Sequence, residues 1–167
     1  MSEPELTSPG GHETARGPKL IRNMLTARND QGLRTVVSTG GGLTLAIDEP
    51  VVRGGTGSAP TPLETVVGAL CGCTVVTFAR AASELGFAYA GIDFDAEFTL
   101  DRRGLLGEAD VRPHFQTVEV EARVRTAETP GRLQAVVEVT ERRCPVRNLL
   151  VDAGVSLTIK WVTAPAG

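Results

Sequence analysis

From Thr65 to Ala79 the chain carries no charged residue, and its apolar positions keep neither the period of a strand nor a single helical stripe. Pro62 suits a first helical turn, Thr61 offers an N-cap, and Glu64 complements the positive end of the helix dipole. Arg80 and Glu84 mark the return to water, and Gly86 is placed as a C′ residue. The pattern predicts one long helix from about Pro62, apolar on every side and therefore buried. Before it, "KLIRNMLTAR", "LRTVVST" and "LTLAI" read as three short strands divided by "NDQG" and "GGG" turns, with a Gly/Pro-rich loop following. After it, "GIDFDAEFTLD" alternates Ile92, Phe94, Ala96, Phe98 and Leu100 against Asp93, Asp95, Glu97 and Thr99. "TVEVEARVR" repeats the alternation, so two half-buried antiparallel strands are expected, joined by a connection that the pattern does not resolve.

Thr129 and Pro130 open a second helix whose inner stripe is Leu133, Val136, Val137 and Thr140, continued by Cys144. Pro145 disfavours helical geometry at Cys144 yet can itself open a further short helix, "PVRNLLVDAG". "VSLTIKWV" is the last strand. Strand runs segregated from helices predict an α+β fold rather than a doubly wound parallel sheet.

Composition narrows the function. The 167 residues fit one domain, 41% apolar residues supply a core, and a net charge of -3 gives no basic excess for nucleic acid. Aromatics at 4% leave little for base stacking. Residues 1–19 read as a disordered Pro/Gly/Ser/Glu arm without an apolar signal core, 20–163 as the domain, and 164–167 as a tail. The charge-free run is shorter than the roughly 20 residues of a membrane span. The expectation is a cytoplasmic protein with no membrane partner, where standing disulfides are rare and cysteine pairs are more often catalytic or redox-sensing.

Three cysteines remain to be explained. Cys71 and Cys73 diverge on a helix, so "CGC" is neither a disulfide nor a CxxC motif. Joined by Cys144 and either His12 or His114 they number four metal ligands, but the spacing diverges, so no metal is expected. Plain core packing is the ordinary fate of a cysteine.

"PTPLETVVGALCGCT", followed far downstream by "RRCPVRNLL", resembles the OsmC/Ohr superfamily of osmotically induced and organic hydroperoxide resistance proteins, and sits closer to its less characterised OsmC-like branch. The resemblance implies an intertwined homodimer with central buried helices wrapped by antiparallel sheets. It places Cys73 at the peroxidatic position and Cys144 at the resolving position, with Cys71, Gly68, Ala69 and Gly72 as packing residues. It also implies an activating arginine held by a glutamate. Glu64 stands one residue beyond the family's slot, which Leu63 occupies, and Arg28, Arg34 and Arg80 lie nearest the arginine's place, with Arg34 the choice. The implied substrate is an organic hydroperoxide, the implied reductant a dithiol such as a lipoyl-type thiol, and no metal, haem or flavin is needed. Missing activator residues would instead imply a non-catalytic relative that binds a small apolar or thiol-reactive ligand between subunits.

Overall fold

The computed structural model describes residues 17–166. Most of the predicted N-terminal arm lies outside the described residues. Strands β1 (Leu25–Arg28), β2 (Thr35–Thr39) and β3 (Thr44–Ile47) form an antiparallel sheet in sequence order. The predicted first strand is longer than the observed one, because Lys19 to Met24 have no partner strand to pair with. A short 3-10 turn at Val51–Arg53 precedes α1 (Pro62–Leu85).

Both ends of α1 follow their local chemistry. Glu64 N–H donates to Thr61 Oγ1 at 3.2 Å, and Thr61 N–H donates to Glu64 Oε2 at 2.8 Å, a complete capping box. Gly86 closes the helix at φ 62°, where a Cβ would be strained.

The body is a second sheet of β4 (Gly91–Leu100), β5 (Phe115–Arg125) and β6 (Ser156–Ala164) in that spatial order. β4 and β5 are antiparallel as expected, but β6 runs parallel to β5, so this sheet is mixed rather than purely antiparallel. The parallel return is made possible by the helical crossover of α3 (Pro130–Arg143) and α4 (Pro145–Asp152). The unresolved connection contains a short helix, α2 (Arg102–Leu106), capped by the Asp101 side chain.

Two apolar clusters fill the space between the sheet and the helices. One joins Phe78, Ala81 and Ala82 of α1 to Phe87, Val124 of β5, and Leu133, Val136 and Val137 of α3. The other joins Val67 and Leu70 of α1 to Phe115, Val118, Val120, Leu150 and Val155. A single chain does not cover α1 on all sides. Within one chain its inner stripe is buried, whereas Val66, Val75 and Val76 are exposed and Gly68 and Gly72 face open space. α1 is long and apolar enough to cross a membrane by length and composition, but its inner stripe is packed on α3 and the sheet as a core helix.

Candidate active site

Cys73 and Thr74 fall on α1 between the last residue of one cluster, Leu70, and the first of the other, Phe78. Thr74 points inward and is buried, while its neighbour Cys73 lies on the flank of the stripe and is half-buried. The opposing element is the elbow between α3 and α4. Pro145 cannot continue α3, so Cys144 turns extended at φ -73° and ψ 111°, serving at once as the C-cap of α3 and the N-cap of α4. Its N–H still donates to Thr140 O at 2.9 Å, and its carbonyl accepts the Asn148 N–H at 3.0 Å. The Cys144 thiol is therefore delivered inward, 1% exposed, with Sγ 3.9 Å from Thr74 Oγ1.

The elbow brings Cys144 beside Cys73. Burial pushes the Cys73 thiol above the ordinary thiol range, and the neighbouring Cys144 thiol adds to that rise. Two groups oppose it: the Val146 backbone N–H, turned toward the sulfur from the first turn of α4, and the Thr77 hydroxyl, which also donates to Cys73 O at 2.9 Å. Val146 N–H is one of the donors that a helix start leaves without an intrahelical partner, and the helix dipole reinforces it. Such a position favours a thiolate. Sequence reading missed this donor, although Pro145 at the head of a helix right after Cys144 is its signal. Cys71, two residues from Cys73, points away around the helix, and burial alone pushes its thiol up.

The other two predicted site residues are not brought to Cys73 within one chain. Glu64 stands nine residues earlier, roughly 14 Å along the axis and on the opposite side of α1. Its carboxylate is held below the usual range by the Thr61 N–H and hydroxyl, the capping box already described. Arg34, just before β2, directs Nε at Ser58 Oγ, 3.2 Å away. Ser58 in turn belongs to a knot around the buried Asp48. One oxygen of that carboxylate accepts from the N–H and hydroxyl of both Thr56 and Ser58. These bonds hold Asp48 well below the ordinary carboxylate range and pin the loop ahead of α1. Arg28 pairs with Asp30 at 2.5 Å, and Arg80 is exposed. His114, one of the counted metal ligands, sets Nδ1 against Phe115 O at 2.7 Å, and His12 lies outside the described residues. Among the described residues no three His, Cys, Asp or Glu side chains are grouped to hold a metal ion.

A half-buried thiol and a fully buried thiol thus lie beside each other between a helix and a helix elbow in an α+β domain, and they form the candidate site. Residues 55–160 match the model of the OsmC-like protein family, and the chain belongs to that family. No curated protein matches the sequence. Among solved structures, an OsmC-like protein from Mycoplasma pneumoniae aligns with TM-score 0.72 at 13% identity, over 88% of this chain and 99% of that one. An organic hydroperoxide resistance protein OsmC from Legionella pneumophila aligns with TM-score 0.63 at 19% identity, over 88% and 99%. An organic hydroperoxide resistance protein from Elizabethkingia anophelis gives TM-score 0.66 at 14% identity, over 87% and 99%. At these identities the likeness establishes the fold.

Proposed function

We propose that this protein is a thiol peroxidase that reduces organic hydroperoxides through Cys73 and Cys144 in cytoplasmic oxidative-stress defence. One observation carries the reading: the two adjacent thiols differ in exposure, Cys73 half-buried and Cys144 1% exposed. The accessible thiol meets the substrate, and the sheltered one survives to resolve the product. The Cys73 thiolate attacks one oxygen of the O–O bond; the other leaves as an alkoxide, takes a proton and departs as alcohol, and Cys73 becomes a sulfenic acid. The Cys144 sulfur then attacks the Cys73 sulfur, forming the disulfide and releasing water. A dithiol such as a lipoyl-type thiol reduces the disulfide by exchange, becoming a disulfide itself. The exposed Val76, one turn from Cys73, suits an apolar peroxide better than hydrogen peroxide.

The working form is a homodimer. Support comes from the exposed apolar face of α1, where Gly68 and Gly72 leave room for a second helix to approach closely. Any action of Glu64 and Arg34 on the thiol then comes from the partner subunit, since within one chain they meet Thr61 and Ser58.

A second reading is favoured by one observation: among the described residues, the groups acting on Cys73 include no cation. On that reading the protein is a non-catalytic OsmC-like binder of a small apolar or thiol-reactive ligand. Consumption of cumene hydroperoxide with a dithiol reductant separates the two. Cys73→Ser abolishes turnover and Cys71→Ala leaves it nearly intact; turnover that survives Cys73→Ser overturns the assignment.

A further inference from the structure

Glu141, Arg147 and Trp161 form a buried-edge network around the Cys144 elbow that the redox chemistry does not itself use. Glu141 lies in the last turn of α3 and Arg147 in the first turn of α4, on either side of Cys144. Arg147 Nη2 donates to Glu141 Oε2 at 2.9 Å, and Trp161 Nε1 of β6 donates to Glu141 Oε1 at 3.0 Å. Both carboxylate oxygens are thus occupied. The Trp161 ring stacks on Phe78, centroids 5.4 Å apart and planes 17° apart. Phe78 is fully buried on α1, five residues beyond Cys73. Asn148 adds a second clamp, donating from Nδ2 to Arg142 O at 3.0 Å.

The placement of Arg147 is telling. A cation in the first turn of a helix opposes the helix dipole. Its side chain is only 24% exposed, and its Nε is buried without a partner. A position unfavourable on both counts is sustained by the Glu141 contact, so the ion pair has a local task rather than a solvating one. Arg147 is turned to Glu141, and among the described residues no arginine is among the groups acting on Cys73. What the network does is geometric. Through Phe78 it holds α1, which bears Cys73, and through Glu141 and Arg147 it holds both arms of the elbow that bears Cys144.

We propose that Glu141 is a positioning residue that sets the speed of disulfide closure by holding the Cys144 elbow against α1. The proposal rests on the reading of Cys73 and Cys144 as a redox pair. A Cys73 sulfenic acid has two fates. Attack by Cys144 gives the disulfide and water, and a second hydroperoxide molecule gives the sulfinic acid and an alcohol. Loosening the elbow slows only the first fate, so the partition between them reports position, independent of how fast the sulfenic acid forms. Misplacement of reacting groups by about 1 Å costs up to about 10²-fold in rate.

The test treats reduced full-length protein with a graded excess of cumene hydroperoxide and quantifies the Cys73–Cys144 disulfide and the Cys73 sulfinic acid by mass. Glu141→Ala is expected to raise the sulfinic-to-disulfide ratio about tenfold or more. Arg147→Met is expected to match it, Arg147→Lys to restore most of the wild-type ratio, and the Glu141→Ala/Arg147→Met pair to be no worse than either alone. A wild-type ratio in Glu141→Ala and Arg147→Met, both folded by circular dichroism, overturns the proposal. Should Glu141→Ala not fold, Arg147→Met against Arg147→Lys decides it. A parallel arm closes the disulfide with diamide, a thiol oxidant that needs no peroxidase activity. If hydroperoxide leaves wild-type thiols intact, the peroxidase reading fails, and slower diamide closure in Glu141→Ala still supports the positioning role; unchanged closure overturns it.

Discussion

Oxidation should stabilise this fold by an amount that chain connectivity sets. A Cys73–Cys144 bond joins α1 to the α3–α4 elbow and encloses β4, α2, β5 and α3. The closed loop is about 72 residues, and in the chain-entropy model a cross-link of that length destabilises the unfolded chain by about 4 kcal/mol. Native-state strain subtracts from this, but little movement is needed, because Cys144 already lies beside Cys73. With a urea slope of about 2 kcal/mol/M, the midpoint should rise by about 2 M on oxidation. The assay is urea unfolding of the Cys71→Ala variant at fixed protein concentration, oxidised with diamide or reduced with a phosphine. Removing Cys71 prevents shuffling, and fixed concentration removes any mass-action effect of association. Coincident midpoints, or an oxidised form less stable than the reduced one, would refute the reasoning, since the bond would then strain the site.

Three further outcomes follow from the same geometry. Glu64→Ala breaks the capping box and should lower the melting temperature by about 2–4 °C, corresponding to about 1 kcal/mol, while Glu64→Gln, which keeps an acceptor, should lose less; equal losses would show that the charge rather than the cap matters. Because burial raises the Cys73 thiol, the folded reduced protein holds a proton there that the unfolded chain releases first. Its stability should fall as pH rises through the ordinary thiol range, and the rate of Cys73 oxidation should still be climbing above about pH 8; a rate plateau below neutral pH contradicts that. Gly72→Leu meets open space within the chain, so helicity should persist while sedimentation equilibrium shifts toward monomer; an unchanged assembly state would remove the α1 face from the dimer.

What the sequence revealed follows from where its signals are local. Thr61, Pro62, Glu64 and Gly86 state the ends of α1 because capping is decided within one turn. Ile92 to Leu100 and Val118 to Val124 alternate cleanly because each strand has one wet face. Cys144-Pro145 places the elbow for the same local reason. Three features were not legible. The parallel pairing of β6 with β5 depends on the crossover path, and α2 is too short to show a period. The exposed side of α1 looks in sequence like core, because apolarity records that a face is to be covered and not by which chain. In the candidate site, Cys73 and Cys144 are singled out by a motif resemblance, whereas the Val146 N–H carries no side-chain signal at all. Glu64 and Arg34 show the opposite problem, since within one chain each has a local partner, Thr61 and Ser58, that explains it without the thiol.

The most direct measurement is peptide mapping of the reduced protein after one equivalent of cumene hydroperoxide, run beside hydrogen peroxide. The account predicts a Cys73–Cys144 linked peptide, Cys71 left as a free thiol, and faster loss of thiols with the organic peroxide. Cys73 and Cys144 remaining as free thiols under excess organic peroxide would contradict it and leave the protein a binder rather than a peroxidase.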